Sequence, residues 1–461
     1  MNLVESYKKR VQIAESVYAN AHDGERMDNQ RKIVLARCLK NLDAFLTESF
    51  NSTNATQRSD MGTWKKFCLN LTTVALPNLI ANDLVIVQPM SSMSGYVTYI
   101  EYMAGTTKGE TTQGDLFNSP FKLGNVDPRY TSNAVVETAA AGSDFTPVWT
   151  PIATGAFTTI VVDGTEVEYD PRATYTAAEE ATIAHKDYKS VAAADGAVTF
   201  GNFTDGAIPS ASVVPGKVAY RYDNITVPQN DLPTLKAEIK SIPLLARARR
   251  IAVYYSQIAA FQATTDYGIN LGDQLAEKAV GQLSYEIDTE VTDLLIKTAG
   301  TPDSDLVWSK TLPVGVNKRD HYAGFSEVVS LAAQKIYDRT KRFQPTYMLA
   351  SSGVMPILNM MDGFTPASTA NINGPYFAGT LNGLKVFVTP NMDIDGKIAK
   401  FCIGVNGSDM MSSVAVYAPY MPIVPTQLLQ FNDGLTTQGW STMYDLKVLN
   451  KDLIVAGEIT A

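Results

Sequence analysis

Apolar residues recur every three or four positions along the first 50 residues, with one interruption at Gly24. This spacing is the stripe of an amphipathic helix, and the interruption predicts two helices. The stripe consists of Val4, Tyr7, Val11, Ala14 and Tyr18 before Gly24, and of Leu35, Cys38, Leu42 and Phe45 after it. Two interpretations stay open: the helices pack on their own domain, or residues 1–60 form an arm that contacts neighbouring molecules.

The composition changes after Asp115, where Thr, Ala, Gly, Val and Asp dominate and long aliphatic residues become few. Two β-branched runs lie on either side of Asp163-Gly164, which is a strong hairpin signal. Residues 217–227 alternate between polar and apolar types, as a half-buried strand does. We therefore expect a β-rich insertion domain over residues 125–233.

Long aliphatic residues return after Pro243, and residues 249–260 are typical of a long strand. A helix of about 28 residues is then predicted from Asn270, which would reach roughly 40 Å. Its apolar ladder has four-residue steps and consists of Leu275, Ala279, Leu283, Ile287, Val291 and Leu295. Acidic residues flank the ladder: Glu286, Asp288, Glu290 and Asp293.

The last third of the chain predicts a second helix near 326–342 and a short helix near Ser351. Short β-rich runs surround them and predict strands at 346–350, 385–389, 400–405, 414–417 and 444–453.

The segment Leu76–Tyr99 has an unusual order of residue types, LPNLIANDLVIVQPMSSMSGYVTY. Four later landmarks follow it in order: TEVTDLLIKTAG at the end of the long helix, Met348–Ser352 with Val354, Tyr376–Gly379 with Leu384–Val386, and Tyr417–Tyr420. Together these five motifs resemble the major capsid proteins of tailed phages, especially those of the T-even type. Each motif alone is weak, but five in order are fairly specific.

The resemblance implies an α+β, HK97-like capsid fold with an N-terminal arm, an extended loop, a peripheral domain with a long spine helix, and an axial domain. The loop would leave near Val97, carry the β-rich insertion domain, and return near Ala260. The implied ranges are 1–60 for the helical segment or arm, 61–124 for the start of the peripheral domain and extended loop, 125–233 for the insertion domain, 234–269 for the return of the loop, 270–364 for the peripheral domain with the spine helix, 365–425 for the axial domain, and 426–461 for the C-terminal peripheral strands.

The implied function is structural. Many copies would assemble into the icosahedral head shell around the double-stranded DNA of a tailed phage, in the virion, after assembly in the host cytoplasm. The implied partners are other copies in hexamers or pentamers, together with vertex, portal, scaffold and decoration proteins. One alternative is a pentameric vertex or encapsulin-type shell protein of the same fold. An alternative of another class is a β-rich carbohydrate-binding protein or adhesin, suggested by the insertion domain and the 22 Tyr residues.

Composition narrows these choices. The chain has 461 residues, 45% hydrophobic and 18% charged, which fits a globular protein of two or three domains. Its formal net charge is −9, which disfavours general nucleic-acid binding, because that needs a basic face. An inner wall that contacts packaged DNA only weakly remains compatible. The N-terminus lacks the apolar stretch of a signal peptide, and no run is long enough for a membrane-spanning helix.

The sequence offers little for catalysis or metal binding. The cysteines Cys38, Cys68 and Cys402 form no CxxC pair, and the three histidines lie in different segments without a second ligand at metal spacing. Motifs typical of phosphate-binding loops, serine hydrolases and zinc proteases are absent from the sequence. We therefore expect no enzyme activity, no catalytic residue, no metal and no cofactor.

Three arginines near the predicted return of the loop, Arg247, Arg249 and Arg250, are candidate contact residues. They could be a basic strip for nucleic acid, a solvated strand face, or anchors that pair with carboxylates of the next subunit. The resemblance favours the third interpretation, with the acidic face of the spine helix as one candidate partner. It also marks Glu48, in Leu46-Thr47-Glu48, as a candidate maturation cleavage site, since the family is cut after Glu in such a pattern.

Overall fold

The structure is a computed structural model of the chain. It describes residues 3–21, 26–50, 79–124, 126–138, 148–149, 159–162, 165–168, 188–191, 198–200, 217–222, 232–268, 271–367, 374–392, 399–407, 409–426, 429–430 and 434–460. Helices and strands both contribute in these ranges, so the predicted α+β class is confirmed.

The helices of the described ranges are α1 Leu3–Ser6, α2 Lys8–Ala21, α3 Asn29–Phe50, α4 Ala81–Leu84, α5 Gln257–Tyr267, α6 Leu271–Ala299, α7 Lys318–Ala323, α8 Phe325–Thr340 and α9 Met355–Leu358. Short 3₁₀ turns cover Ser304–Leu306, Ser352–Val354, Pro390–Met392, Met410–Ser412 and Lys451–Leu453. The two long helices predicted in the second half of the chain are thus present as α6 and α8. Asn270, which was expected to cap α6, lies outside the described residues.

The strands are β1 Ile86–Val87, β2 Ser94–Ala104, β3 Leu116–Asn118, β4 Ala134–Thr138, β5 Thr159–Val162, β6 Thr165–Glu168, β7 Tyr188–Val191, β8 Val198–Phe200, β9 Lys217–Arg221, β10 Leu235–Leu245, β11 Arg247–Ser256, β12 Val307–Ser309, β13 Tyr347–Ala350, β14 Phe364–Pro366, β15 Tyr376–Leu381, β16 Leu384–Val388, β17 Ala399–Gly404, β18 Ala415–Pro425, β19 Leu429–Gln430, β20 Leu435–Val448 and β21 Ile454–Thr460. The chain divides into two compact units: the first contains residues 1–97 and 241–461, and the second contains residues 98–240.

The first unit contains a sheet with strand order β1-β18-β20-β11, and β19 also pairs with β20. Strand β18 is buried at every position except Tyr420, and it contacts both α3 and α6. Successive side chains of a strand point to opposite faces of the sheet. Because consecutive residues of β18 are buried, both faces of this strand are covered. The long helix and the N-terminal helix are therefore both part of the core of this unit.

A second sheet of the first unit has the order β12-β21-β17-β13-β16-β15-β14, with α8 packed against it. Its strands are close enough at Gly457 that an added Cβ would lie 2.0 Å from the Phe401 ring. Glycine at this position lets the aromatic ring cover the neighbouring strand. Strands β15 to β17 belong to this sheet and β18 to the other, so the range 365–425 contributes to both sheets.

The N-terminal stripe faces the core of the first unit. Val11, Ala14 and Tyr18 are buried in α2, and Leu35 and Leu42 are buried in α3. This burial supports packing of the helices on their own domain, and an arm that contacts neighbouring molecules stays a prediction. Residues 51–60 and the side chain of Phe45 lie outside the described part of the chain.

The second unit contains the sheet β10-β2-β3 and the antiparallel pairs β4/β9, β5/β6 and β7/β8. The hairpin predicted around Asp163-Gly164 is confirmed on its described strands, where Val162 pairs with Thr165. The strand predicted over 217–227 is present as β9, and residues 223–231 lie outside the described ranges.

Lys108 is almost fully buried in this second unit. Its ammonium group donates to the carbonyl oxygens of Tyr130 at 2.9 Å and of Ser132. The same group lies 5.6 Å from the centre of the Trp149 ring and 5.0 Å from that of Tyr222. Burial lowers the pKa of Lys108, while the carboxylate of Asp127 opposes that shift. These contacts connect four distant parts of the sequence around one cation.

Two sequence expectations need correction here. The predicted strand over 249–260 ends at Ser256, and residues 257–267 form helix α5, which ends at the left-handed Gly268. The first unit resumes at Ser241, and β11 pairs along its whole length with β20 of that unit, while the return of the extended loop near Ala260 stays a prediction. The predicted strand over 444–453 is likewise divided between β20 and a 3₁₀ turn.

Candidate assembly interface

Arg249 lies in the edge strand β11 and reaches the long helix α6 of its own chain. Its guanidinium donates to a carboxylate oxygen of Glu290 at 2.7 Å. Tyr444, on the adjacent strand β20, donates its hydroxyl to the other oxygen of that carboxylate at 2.5 Å. The guanidinium also lies 5.2 Å from the centre of the Tyr444 ring. Burial, and then the hydrogen bond to Glu290, raise the pKa of the Tyr444 hydroxyl.

This geometry gives Arg249 a carboxylate partner within its own chain. The arginine was expected to pair with an acidic residue of the next subunit, but its carboxylate partner belongs to the spine helix of the same subunit. The physical reason is the register of β11, which places odd-numbered residues on the α6 side, where Ile251 and Val253 also pack. Arg249 thus joins a strand edge to the helix that covers it.

Arg247 and Arg250 are exposed on the same strand, opposite Tyr444 and Ser441 in register. Neither side chain forms an ion pair with another residue in the described ranges. All three arginines belong to β11, which pairs with β20 in a sheet of the first unit. Their role as contacts between subunits stays a prediction, and Arg247 and Arg250 are the two whose charge is exposed.

We expect Arg249→Ala to lower the free energy of unfolding of isolated subunits by about 1 kcal/mol, the range for a partly exposed ion pair. Arg250→Ala, one position away but exposed, should change that free energy by less than about 0.5 kcal/mol. Denaturant titration of both purified variants measures the difference. Equal loss of stability in the two variants would contradict the assigned partner of Arg249.

The paired strands β2 and β10 present an apolar face within the second unit. Along β2, the residues at even positions from Ser94 to Tyr102 are exposed, and they include Ile100 and Tyr102. On β10 the matching face includes Ile239, which is 77% exposed. The opposite face carries the ion pair between Lys240 and Glu101, with 2.6 Å between nitrogen and oxygen. A strand pair with charges on one face and large apolar side chains exposed on the other is typical of a docking surface.

The segment Leu79–Leu84 is fixed at Asp83 by two cations. Arg31 of α3 donates to its carboxylate at 2.6 Å and Lys385 of β16 at 3.2 Å. Burial alone would raise the pKa of Asp83, but the two cations outweigh it and hold that pKa below its usual value. Arg31 also donates to the hydroxyl of Tyr18 at 2.9 Å. One carboxylate therefore joins the N-terminal helices to the core of the first unit.

Asp288 of α6 lies beside the same segment and is buried. Its carboxylate accepts the backbone N–H of Ala81 at 3.0 Å. Burial raises the pKa of Asp288 to about 7, the nearby Asp83 adds to the shift, and the backbone donors at residues 80 and 81 oppose it. Of the acidic residues that flank the apolar ladder, Asp288 is thus buried, and Glu290 is bound to Arg249 of the same chain.

Sequence reasoning missed the roles of Asp83 and Asp288, although it singled out the segment that contains Asp83. Adjacency to the apolar ladder gave no signal, since Glu286 and Asp288 both adjoin Ile287, yet Glu286 is exposed and Asp288 is buried.

The described ranges contain no cluster of three metal-ligating side chains. Cys38 and Cys402 are buried free thiols, and burial raises the pKa of each to about 12. His321 stacks on Trp308 with 4.8 Å between ring centres, while His22 and His185 lie outside the described residues. A search of the described helices finds none with the length and apolarity needed to span a membrane.

Comparison with known families decides the identity. The family described as Major capsid protein Gp23 matches residues 61–457, which is most of the chain. The chain belongs to the Gp23 major capsid protein family. The T-even resemblance of the five motifs is thereby confirmed, and the fold described above is that of a phage capsid protein.

Individual capsid proteins show the same relationship at low identity. The major capsid protein of Escherichia phage AR1 is 23% identical over 450 residues, covering 88% of this chain and 81% of that protein. The major capsid protein of Enterobacteria phage T4 is 22% identical over 449 residues, with the same coverage of 88% and 81%. That of Vibrio phage KVP40 is 23% identical over 403 residues, covering 81% and 74%.

Solved structures with partial similarity also come from phages. A chain from Microbacterium phage Oxtober96 has a TM-score of 0.37 and 10% identity, and the alignment covers 83% of this chain and 91% of that chain. The capsid of Myoviridae Phage XM1 has a TM-score of 0.35 and 10% identity, covering 51% and 81%. These scores are too low to transfer any residue role.

Glu48 lies outside the residues that the capsid family match covers, which begin at 61. In this structure Glu48 belongs to the last turn of α3. Proteases bind the bonds that they cut in an extended conformation, so this turn would have to unwind before cleavage. Cleavage after Glu48 therefore stays a prediction.

Proposed function

We propose that this chain is the subunit of an icosahedral phage head that encloses double-stranded DNA, built on the HK97-like plan of arm, extended loop, peripheral domain and axial domain. The observation that carries the proposal is the capsid family match over residues 61–457. In the proposed shell, copies form hexamers, and vertex, portal, scaffold and decoration proteins are candidate partners. Assembly takes place in the host cytoplasm, and the shell is part of the virion.

The surface of the chain supports repeated contacts between copies. The apolar face with Ile100, Tyr102 and Ile239 is exposed on a strand pair of the second unit. Heterologous contacts of this kind close into a shell when the rotation between subunits is right. Non-covalent contacts are the simplest source of cohesion, since the thiols of Cys38 and Cys402 are buried inside single subunits.

The net charge of −9 supports a container for DNA and not a general binder of it. An acidic protein neutralises few phosphates, so its affinity for DNA is low at physiological salt. Weak contact leaves the packaged genome free to move along the wall. We also propose that the chain has no enzymatic role and no membrane contact, in keeping with a structural capsid family.

Negative-stain microscopy of the purified protein, combined with sedimentation velocity, tests this proposal. We expect closed shells, or sheets of hexameric units when partner proteins are missing, that sediment far ahead of the 50.1 kDa subunit. Subunits that stay monomeric at high concentration, in the presence of lysate from an infected host as well as alone, would contradict it.

A further inference from the structure

Helix α5 is mostly exposed: none of its 11 residues is buried, and only Ala260 and Ala263 are half-buried. Isolated helices shorter than about 12 to 15 residues are marginal in water, and helices in proteins are stabilised mainly by packing of one face. A helix of this length without a fully buried residue therefore has little of the packing that would ordinarily hold it.

The apolar side of α5 points away from its own chain. Ile258 and Phe261, one turn apart, are each 72% exposed. The half-buried positions are Ala260 and Ala263, which lie on the other side of the helix. The small residues thus face the protein and the large apolar residues face solvent, which is the reverse of an ordinary surface helix.

A third apolar side chain belongs to the same end of the sheet. The backbone N–H of Gln257 donates to the carbonyl of Gly434 at 3.0 Å, and Leu435 pairs with Ser256. Leu435 is 41% exposed. We call Ile258, Phe261 and Leu435 the α5 patch.

The α5 patch lies in a nearly uncharged segment, because Asp266 is the one charged residue of α5. A charged partner surface would lose its hydration against these side chains without gaining a counterion, which is costly. The partner surface must therefore be apolar as well. Copies of a chain with net charge −9 repel each other, and an uncharged patch is a place where they can approach.

We propose that a second copy of this chain covers the α5 patch in the assembled shell. The inference rests on the proposed function, since a shell places copies beside one another on every side. Phe261 alone can bury about 150 to 250 Å², and the patch as a whole is smaller than the roughly 800 Å² per partner of a standard interface. A contact of that size does not hold two free subunits together, but it contributes when each subunit has several such contacts.

The test compares assembly of the wild type with that of the double variant Ile258→Gln, Phe261→Gln, because glutamine keeps helix propensity and removes the apolar face. We expect isolated double-variant subunits to melt at the wild-type temperature, since both side chains are exposed. The subunit concentration needed for particles should rise roughly tenfold or more. The matched control is Tyr267→Gln, which removes a side chain 76% exposed on another side of α5 and should assemble like the wild type.

Maleimide labelling gives a second readout. Phe261→Cys subunits should react rapidly when free and at least about tenfold more slowly in particles, because a neighbouring copy covers the site. The inference would be overturned if the double variant assembled at the same subunit concentration as the wild type, or if Tyr267→Gln impaired assembly as much as the double variant does. Labelling of Phe261→Cys at the same rate in particles as in free subunits would also overturn it. Absence of particles from the wild type would instead count against the proposed function.

Discussion

Leu283→Ala is expected to lower the free energy of unfolding of unassembled subunits by about 2 to 5 kcal/mol. Leu283 is 2% exposed on α6 and packs in a cluster with Ala279, Ile423 and Trp440, where helix and sheet meet. Truncation removes buried methyl groups and leaves a cavity, because the surrounding strands relax only partly. Denaturant titration monitored by the fluorescence of the tryptophans measures the loss.

Lys278→Ala is the matched control for this change. Lys278 is exposed on the same helix five residues earlier. Its replacement should change the unfolding free energy by less than about 0.5 kcal/mol. If Leu283→Ala were as stable as this control, α6 would not be packed on its sheet, and the architecture described here would be wrong.

Asp288→Asn is expected to stabilise isolated subunits at pH 8, by an amount on the order of a few kcal/mol. The pKa of Asp288 is about 7 in the folded chain, above the usual value of 3.8. The folded state therefore holds this proton more tightly than the unfolded state. Between about pH 4 and 7 the contribution of Asp288 to stability falls as pH rises, and above pH 7 the full cost of the buried charge remains.

Asparagine keeps an oxygen that accepts the N–H of Ala81 and removes the charge, so the variant escapes that cost. The difference in melting temperature between variant and wild type should be large at pH 8 and shrink toward pH 4. Asp83 and Tyr417 are the titratable groups beside Asp288, and both are retained in the comparison. Glu286→Gln, at an exposed carboxylate on the same helix, serves as control. A difference that does not depend on pH would show that Asp288 is not buried as described.

Periodicity predicted the elements whose stability comes from one buried face. The four-residue ladder of α6 is buried from Ala279 to Leu295, since the helical repeat fixes which residues share a face. The hairpin of β5 and β6 was predictable for a similar local reason, because its turn residues and β-branched flanks act within ten residues of each other.

The boundary at Ser256 could not be predicted from local pattern. Residues 257–261 continue the apolar character of β11, and the change to helix α5 leaves them exposed instead of buried. An apolar run predicts a buried element wrongly where the apolar residues lie on the surface for another reason, such as a contact with a second copy.

The partners of Arg249 and Asp288 could not be predicted from the sequence for a different reason. Arg249 contacts Glu290 over 41 positions, and Asp288 contacts Ala81 over 207 positions. Such pairs depend on strand register and helix rotation, which a single sequence does not encode in any local spacing. The five capsid motifs were informative because their order along the chain reflects the whole fold. The family match over residues 61–457 confirms the resemblance that they indicated.

Electron cryomicroscopy of assembled particles, reconstructed with icosahedral symmetry, tests the central claim most directly. The account predicts a closed wall in which repeated copies of this chain fit the density with both sheets of the first unit in place, and with density from a neighbour against Ile258 and Phe261. A wall whose density cannot accommodate α6 packed on the face of the sheet that contains β11 and β20, or purified protein that yields only isolated subunits under every assembly condition, would contradict it.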